Sequence, residues 1–305
     1  MKPTIFFVFL NDRNRYRILI ENLSERLLNC EIITISNGSF REYKSKLKQL
    51  NPSLILFFSH ERKFVKYTQQ RQIRSLLIPL SFLLFNRSLK TNGSSIGYEK
   101  LDSNAFLGSP IIESISDYKF TNFDGGKEFS IAVVGITKDS ISLIRSLALR
   151  NKSYSFLISK CGYDFGNYQS ENVIFSEENR FDLLKNCNMA LTFSEETSLE
   201  ACLLNCPQVH IEKQSVLRFF KDKFNKKPNK LLINQISRIE MVRSFVGMKI
   251  DSDSLTGEIK KILDDPQYCA EILAGYQIVK EKIANKKPSR EIARIINETL
   301  ESGGS

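Results

Sequence analysis

This chain has few histidines and no long apolar run. The first observation argues against sites built from several histidines, and the second against a membrane-spanning helix. Only His60 and His210 occur in 305 residues, which excludes a catalytic apparatus or metal centre built from several histidines. The apolar run at 4–10 is short and charged residues follow at once, so no secretory signal is predicted. The apolar run at 76–85 has about half the length that a membrane-spanning helix needs.

The composition is that of a globular protein with a basic surface. The length allows two domains, and the net charge is +10. Such a charge suits nucleic acid, anionic lipid or phosphorylated ligands, but the cations are spread along predicted helices and no nucleic-acid-binding signature occurs. We therefore expect no nucleic-acid partner. No metal site is expected either, because no second Cys or His pair accompanies Cys202 and Cys206, and no cofactor is expected. The scattered cysteines predict buried free thiols in a reducing cytosol: Cys30, Cys161, Cys187, Cys202, Cys206 and Cys269.

The run LLIPLSFLLF at 76–85, flanked by arginines, has two interpretations. It is either a buried core segment or an interfacial segment whose basic flanks meet the anionic surface of a membrane. The second interpretation assigns membrane contacts to Leu76, Leu77, Phe82, Leu84, Phe85, Arg74 and Arg87.

Strands and helices alternate in both halves of the chain, which predicts an α/β protein with two doubly wound, Rossmann-like parallel sheets and a helical C-terminus. Residues 121–128, with two central glycines, predict a linker. The expected organisation is an N-terminal domain at 1–120, a C-terminal domain at 129–301 and a flexible tail at 302–305.

The segment 189–207, MALTFSEETSLEACLLNCP, predicts a short buried strand, a loop and a helix. Ser194 suits a turn or a helix cap, and Thr197 and Ser198 begin the helical pattern. A helix N-terminus at the carboxyl edge of a sheet attracts anions, and Glu200, one turn in, is placed to accept hydrogen bonds from paired sugar hydroxyls. The alternative is a generic strand–helix unit with a solvated glutamate.

This segment resembles the C-terminal signature of the lipid-A-disaccharide synthases, S-G-T-A-T-L-E-x-x-L-L-x-x-P. Two further segments resemble that family in the same order. FLGSPIIESI at 106–115 is similar to F-V-G-H-P-L-x-D-x, and LINQISRIEMVRSFV at 232–246 is similar to L-P-N-L-I-A-x-R-x-V-V-P-E. The resemblance implies a GT-B fold, with two such domains facing a cleft.

The resemblance also implies an activity. A UDP-diacylglucosamine donor and a diacylglucosamine 1-phosphate acceptor would be joined in lipid A biosynthesis, on the cytoplasmic face of the membrane, with the donor in the C-terminal domain. Position by position, it implies donor contacts from Thr137, Lys138, Ser194, Ser198, Glu200, Asn234 and Arg238. The catalytic base would be Asp12, with Glu61 and His60 as further candidates.

Two departures from the family pattern keep alternatives open. Glu195 and Glu196 replace Gly-Thr and would repel a phosphate, and the loop after the first strand lacks the family's glycines and histidine. One alternative is a catalytically degenerate paralogue that binds a nucleotide sugar or lipid without turnover. The other is a GT-B enzyme with a different acceptor.

Overall fold

The computed structural model describes residues 2–9, 17–36, 40–57, 62–77, 110–122, 129–159, 170–213, 231–247, 249–283 and 287–301. The chain divides into two compact units. The first comprises Met1–Tyr118 and Ile283–Ser305, and the second comprises Lys119–Lys282.

The first unit contains a parallel sheet in the order β2-β1-β3-β4. Its strands are β1 (Thr4–Phe9), β2 (Glu31–Ser36), β3 (Leu54–Phe57) and β4 (Ser75–Leu77). The helices that alternate with them are α1 (Arg17–Arg26), α2 (Phe40–Leu50) and α3 (Arg62–Gln70), followed by α4 (Pro110–Ser116). Every neighbouring pair of strands is parallel, as the alternation of strands and helices predicts.

The side chains of β1 alternate between two hydrophobic cores, one on each face of this sheet. Ile5 and Phe7 belong to the core that includes Leu19 and Leu23 of α1. Phe6 and Val8 belong to the core that includes Tyr43 of α2. Because successive residues of a strand point to opposite faces, a continuous apolar run is what a sheet covered on both sides requires.

The second unit contains a six-stranded parallel sheet in the order β10-β9-β8-β5-β6-β7. The strands are β5 (Phe129–Val134), β6 (Tyr154–Ser159), β7 (Val173–Ser176), β8 (Met189–Thr192), β9 (Gln208–Lys213) and β10 (Ser244–Gly247). The helices are α5 (Ile141–Arg150), α6 (Arg180–Asn186), α7 (Glu195–Leu203), α8 (Leu232–Ser237), α9 (Ser252–Asp264) and α10 (Pro266–Ile283). The strand order reverses between β5 and β8, which makes their carboxyl ends the topological switch point of a doubly wound sheet.

The last helix, α11 (Pro288–Glu301), packs on the first unit. Ile292 and Ile296 lie in the same core as Ile5 and Leu19. The Ser289 hydroxyl donates to Glu113 of α4 over 2.8 Å. This differs from the expectation of one domain over 129–301, because the helical spacing of Ile292 and Ile296 shows which face is buried but not which sheet it covers.

The structure corrects part of the membrane-contact prediction. Leu76 lies in β4 and is 1% exposed within the core of the first unit. Arg74 donates from Nη1 to the carbonyl of Thr299 in α11, over 2.7 Å. Leu76 and Arg74 therefore stabilise the fold, and the core interpretation holds for the start of the 76–85 run.

Leu77 is the last residue of β4, and Phe82, Leu84, Phe85, Arg87 and the tail at 302–305 lie outside the described residues. Among the helices that the structure describes, none is long and apolar enough to cross a membrane.

Candidate functional site

The carboxyl ends of β5 and β8 lie side by side and bring together two loops that the sequence singled out. Val134, the last residue of β5, pairs with Thr192 of β8. The amide of Phe193 continues this pairing by donating to the carbonyl of Val134 over 3.1 Å. The residues that follow, Gly135 after β5 and Ser194 after β8, therefore begin next to each other at the switch point, where ligands of doubly wound sheets collect.

Gly135 allows the β5 loop to lie directly against the first turn of α7. Its φ of +73° is a left-handed conformation that side-chain-bearing residues rarely adopt. A Cβ atom at this position would lie 2.8 Å from Thr197 Oγ1 and 3.2 Å from Ser194 Oγ. Both the backbone angle and the space therefore require glycine, and the contact with Thr197 is one that the sequence analysis did not identify.

Ser194 is the N-cap of α7, as its position after the strand predicted. Its Oγ accepts from the amide of Thr197 over 3.2 Å, and Thr197 Oγ1 accepts in turn from the amide of Ser194 over 3.3 Å. This reciprocal capping box satisfies two helix-terminal donors. The helix therefore begins at Glu195, two residues earlier than expected, and the Ser194 hydroxyl is already engaged in capping.

Thr137 and Lys138 lie exposed in the loop that continues from Gly135. The loop is held by the Ser140 hydroxyl, which accepts from the amide of Thr137 over 2.8 Å and donates to its carbonyl over 2.7 Å. At the end of β9, Lys213 Nζ donates to the carbonyl of Asp139 over 2.9 Å. The loop thus presents a hydroxyl and a cation to solvent at the carboxyl edge of the sheet.

Glu200 is fully buried and forms a bidentate ion pair instead of facing an open site. Its Oε2 accepts from Arg180 Nε over 2.8 Å, and its Oε1 accepts from Arg180 Nη2 over 2.7 Å. Arg180, at the start of α6, also lies 3.9 Å from Glu196 Oε1. Both carboxylate oxygens are thus engaged by Arg180, which differs from the predicted hydrogen bonds to sugar hydroxyls and from the alternative of a solvated glutamate. Sequence spacing did not connect Arg180 with Glu200.

The two glutamates that replace Gly-Thr have different surroundings. Glu195 is exposed, whereas Glu196 is buried beside Arg180. Carboxylates in the first turn of a helix interact favourably with its dipole, and for that reason they compete with any anion that would bind there.

Three further predicted donor-binding residues lie on α7 or on and next to α8, which contacts α7, and their role in donor binding stays a prediction. Ser198 is fully buried, which removes its hydroxyl from solvent. Asn234 clamps the backbone of Val242: its amide donates to the carbonyl over 2.7 Å and its Oδ1 accepts from the N–H over 3.1 Å. Arg238 is the exposed C-cap of α8, with a φ of +65°. Among the described residues, neither Asn234 nor Arg238 forms a hydrogen bond with Ser194 or Ser198.

A buried polar network lies beneath the switch point. His210 lies in β9, and burial lowers its pKa to about 4, so the ring is neutral at pH 7. Its Nδ1 is 3.3 Å from Thr192 Oγ1, which donates to Gln208 Oε1 over 2.9 Å. Gln208 Nε2 in turn donates to the carbonyl of Ser198 over 2.8 Å and lies 3.1 Å from the Tyr276 hydroxyl. The network ties β8, β9, α7 and α10 together, which is a structural role for His210.

The three candidate bases, Asp12, His60 and Glu61, lie outside the described residues. Asp12 follows β1 in the chain, and His60 and Glu61 follow β3. These two strands are neighbours in the sheet of the first unit, where the strand order reverses. The assignment of a base among the three stays a prediction.

Comparison with known sequences gives relatives for part of the chain, and no family model matches. A lipid-A-disaccharide synthase of Geobacter sulfurreducens is 28% identical over 130 residues, which are 42% of this chain and 34% of the relative. The lipid-A-disaccharide synthase of Geobacter metallireducens is 25% identical over 129 residues, with the same coverage of both chains. The match thus spans about a third of the length of these relatives, and it confirms the resemblance.

Comparison with solved structures covers nearly the whole chain. MnaA of S. aureus, solved with UDP, aligns over 98% of this chain and 97% of its own, with 10% identity and a TM-score of 0.62. A UDP-N-acetylglucosamine 2-epimerase aligns over 100% and 97%, with 12% identity and a TM-score of 0.55. The glycosyltransferase SnogD of Streptomyces nogalater aligns over 97% and 99%, with 13% identity and a TM-score of 0.55. The predicted GT-B-like α/β fold is thereby confirmed.

Proposed function

We propose that the chain is a glycosyltransferase of the lipid-A-disaccharide synthase type. It joins a UDP-diacylglucosamine donor to a diacylglucosamine 1-phosphate acceptor, without a cofactor, and the second unit binds the donor. The observation that supports this proposal is the contact of Gly135 with Ser194 and Thr197 at the switch point. It joins the loop after β5 to the segment that carries the strongest resemblance to the synthases.

The proposed donor site is the carboxyl end of β5 and β8. Thr137 and Lys138 are exposed in the β5 loop, which lies against the first turn of α7 at Gly135. Fixed cations and backbone N–H groups stabilise the charge that develops on a leaving diphosphate, so this chemistry needs no metal. A general base must also act on the attacking hydroxyl, and Asp12, Glu61 or His60 would supply it.

UDP binding tests the donor site directly. A ligand that binds only the folded protein raises its thermal stability, so millimolar UDP should raise the melting temperature. Lys138→Ala should weaken this protection. Lys185→Ala is a matched control, because it removes one exposed lysine of the same unit, in α6. If UDP gives no shift, or if both variants respond alike, the donor site is wrongly placed.

Turnover needs a separate assay. Purified protein, labelled UDP-diacylglucosamine and diacylglucosamine 1-phosphate should yield a disaccharide and free UDP. Asp12→Asn should lower turnover by about 10²–10⁴-fold, the usual contribution of a general base, and leave UDP protection intact. Full activity of this variant would reject Asp12 and direct the search to His60 and Glu61.

A second candidate function is a catalytically degenerate protein that binds a nucleotide sugar or lipid. It is favoured by one observation: Glu200, the glutamate of the signature, is buried and held at both oxygens by Arg180. UDP protection without turnover of any acceptor would support this candidate. Turnover with another acceptor would instead indicate a GT-B enzyme of different specificity.

Peripheral binding to the inner face of the cytoplasmic membrane completes the proposal. It is supported by the net charge of +10 and by the need of such an enzyme to reach acylated sugars. Co-sedimentation with vesicles should require anionic lipid and weaken as salt rises, because exposed charges are screened beyond about 8 Å at physiological ionic strength. Replacing both Phe82 and Phe85 with Ser should reduce it without changing UDP affinity.

A further inference from the structure

A second feature of the carboxyl edge is a cavity of about 220 Å³ near the ends of β9 and β10. Two lysines contribute to its wall, Lys213 from β9 and Lys249 from the segment that follows β10. Three serine hydroxyl groups join them, from Ser142 and Ser146 of α5 and Ser252 of α9, and Leu143 and Ile250 complete the lining. Among the described residues, the lining therefore contains two lysines, three serines and no acidic residue.

Neither lysine forms an ion pair with a residue that the structure describes. Lys213 Nζ donates instead to the backbone carbonyl of Asp139. Lys249 is exposed and forms no hydrogen bond or ion pair with any of the described residues. Two ammonium groups that share one cavity repel each other, and a bound anion would relieve that repulsion.

The acidic residues that follow Lys249 are engaged elsewhere, and Glu212 and Asp139, which are close to Lys213 in the chain or by its hydrogen bond, are not among the lining residues. Asp251, the N-cap of α9, accepts from the amides of Asp253 and Ser254 and from the Ser254 hydroxyl. These hydrogen bonds lower the pKa of Asp251. Asp253 pairs with Arg150. Because Asp251 already occupies the first amides of α9, the attraction of the cavity for an anion comes from the lysines and hydroxyl groups rather than from the helix terminus.

We propose that this cavity binds the phosphate group of a small phosphorylated molecule. Lys213 and Lys249 would neutralise the phosphate, and the serine hydroxyl groups would donate hydrogen bonds to its oxygens. The volume is below the 300–1,000 Å³ that is usual for larger ligands, which favours a phosphate with a small substituent such as a sugar. This site is additional to the proposed UDP site and does not depend on it.

Calorimetric titration of the full chain with inorganic phosphate and glucose 1-phosphate tests the proposal. We expect saturable binding that Lys249→Met and Lys213→Met each weaken at least about tenfold, since each removes one charged donor. Lys260→Met is the matched control: Lys260 is an exposed lysine of α9 outside the cavity lining, and its variant should bind like wild type. Lys249→Met is the more stringent variant, because Lys249 supports no described contact whose loss would perturb the fold.

Two further arms identify the source of the phosphate and separate this site from the UDP site. In one arm, vesicles with phosphatidic acid replace glucose 1-phosphate. If wild type binds these vesicles but neither soluble phosphate, and Lys249→Met abolishes the vesicle binding, the phosphate is that of a lipid headgroup. In the other arm, Lys138→Ala should weaken UDP binding and leave phosphate binding unchanged. The proposal is overturned if no probe binds at roughly 10 mM, a concentration that would largely saturate a site with a millimolar dissociation constant. It is also overturned if Lys260→Met weakens binding as much as Lys249→Met. Loss of phosphate binding in Lys138→Ala would overturn it as well, since the phosphate would then belong to the switch point.

Discussion

Substituting Gly135 with alanine tests the contact on which the proposed donor site depends. The left-handed φ of +73° costs a residue with a Cβ atom about 1–2 kcal/mol. The new Cβ would also lie 2.8 Å from Thr197 Oγ1 and 2.9 Å from Thr197 Cγ2. Relieving such overpacking costs a further 1–3 kcal/mol, roughly. The free energy of unfolding of the second unit should therefore fall by about 2–5 kcal/mol.

Gly257→Ala provides the matched control. Gly257 lies within α9, and a Cβ there meets nothing within 4 Å. This substitution should stabilise the same unit by about 0.5–1 kcal/mol, because alanine is the better helix former. Denaturant unfolding followed by circular dichroism measures both variants. Gly257→Ala should raise the denaturant midpoint of the second unit's transition, and Gly135→Ala should lower the midpoint of the same transition.

A double-mutant cycle with Thr197→Ser locates the clash. Serine keeps the hydroxyl that caps α7 and removes Cγ2, so Gly135→Ala should cost about 1 kcal/mol less in the Thr197→Ser background. If Gly135→Ala is as stable as Gly257→Ala, or if the two substitutions are additive, the β5 loop does not lie against α7 in solution. The proposed donor site would then lose its main support.

Two other buried groups give predictions of opposite character. Arg180→Ala should destabilise the second unit by about 2–4 kcal/mol in denaturant unfolding, because it leaves the Glu200 carboxylate buried without its cation. Adding Glu200→Gln to this variant should restore part of that loss. Equal stability of Arg180→Ala and wild type would contradict the ion pair. For His210, the pKa is about 4 in the folded protein against 6.5 for an unperturbed histidine. The unfolded chain therefore binds more protons between these values, and the free energy of unfolding should fall by about 3 kcal/mol as the pH drops from 7 to 4. Denaturant unfolding at several pH values measures this dependence, and His210→Gln should reduce it. If the ring were exposed, the free energy of unfolding would depend on pH in the same way in wild type and His210→Gln.

The sequence predicts the strands of this fold well where both faces are covered. Segments 131–134 and 189–191 are apolar without interruption, and they lie within β5 and β8 of the structure. β10 was not predicted, because it is an edge strand of four residues with two partly exposed positions, Ser244 and Phe245, and carries no such run. Burial on both faces is what makes a parallel strand visible in a sequence.

The candidate site is predictable only in part, because its contacts join elements that are distant along the chain. The capping role of Ser194 follows from residue type and position, and it is confirmed. The pairing of Glu200 with Arg180 depends on how α6 packs beside α7, which no local spacing encodes. Asn234 matched the family pattern, yet its amide is used by the backbone of Val242, a contact that resemblance alone does not reveal.

The placement of α11 has a consequence for the order in which the protein can fold during synthesis. The core of the first unit includes Ile292 and Ile296, which emerge from the ribosome only after all of Lys119–Lys282. At 5–20 residues per second, that interval is on the order of 10–30 s. During it the apolar side chains of Leu19 and Leu23 lack their partners from α11, and at its end the second unit has its whole sequence. The second unit is therefore expected to complete its core before the first unit does, because the first unit must wait for Ile292 and Ile296 of α11.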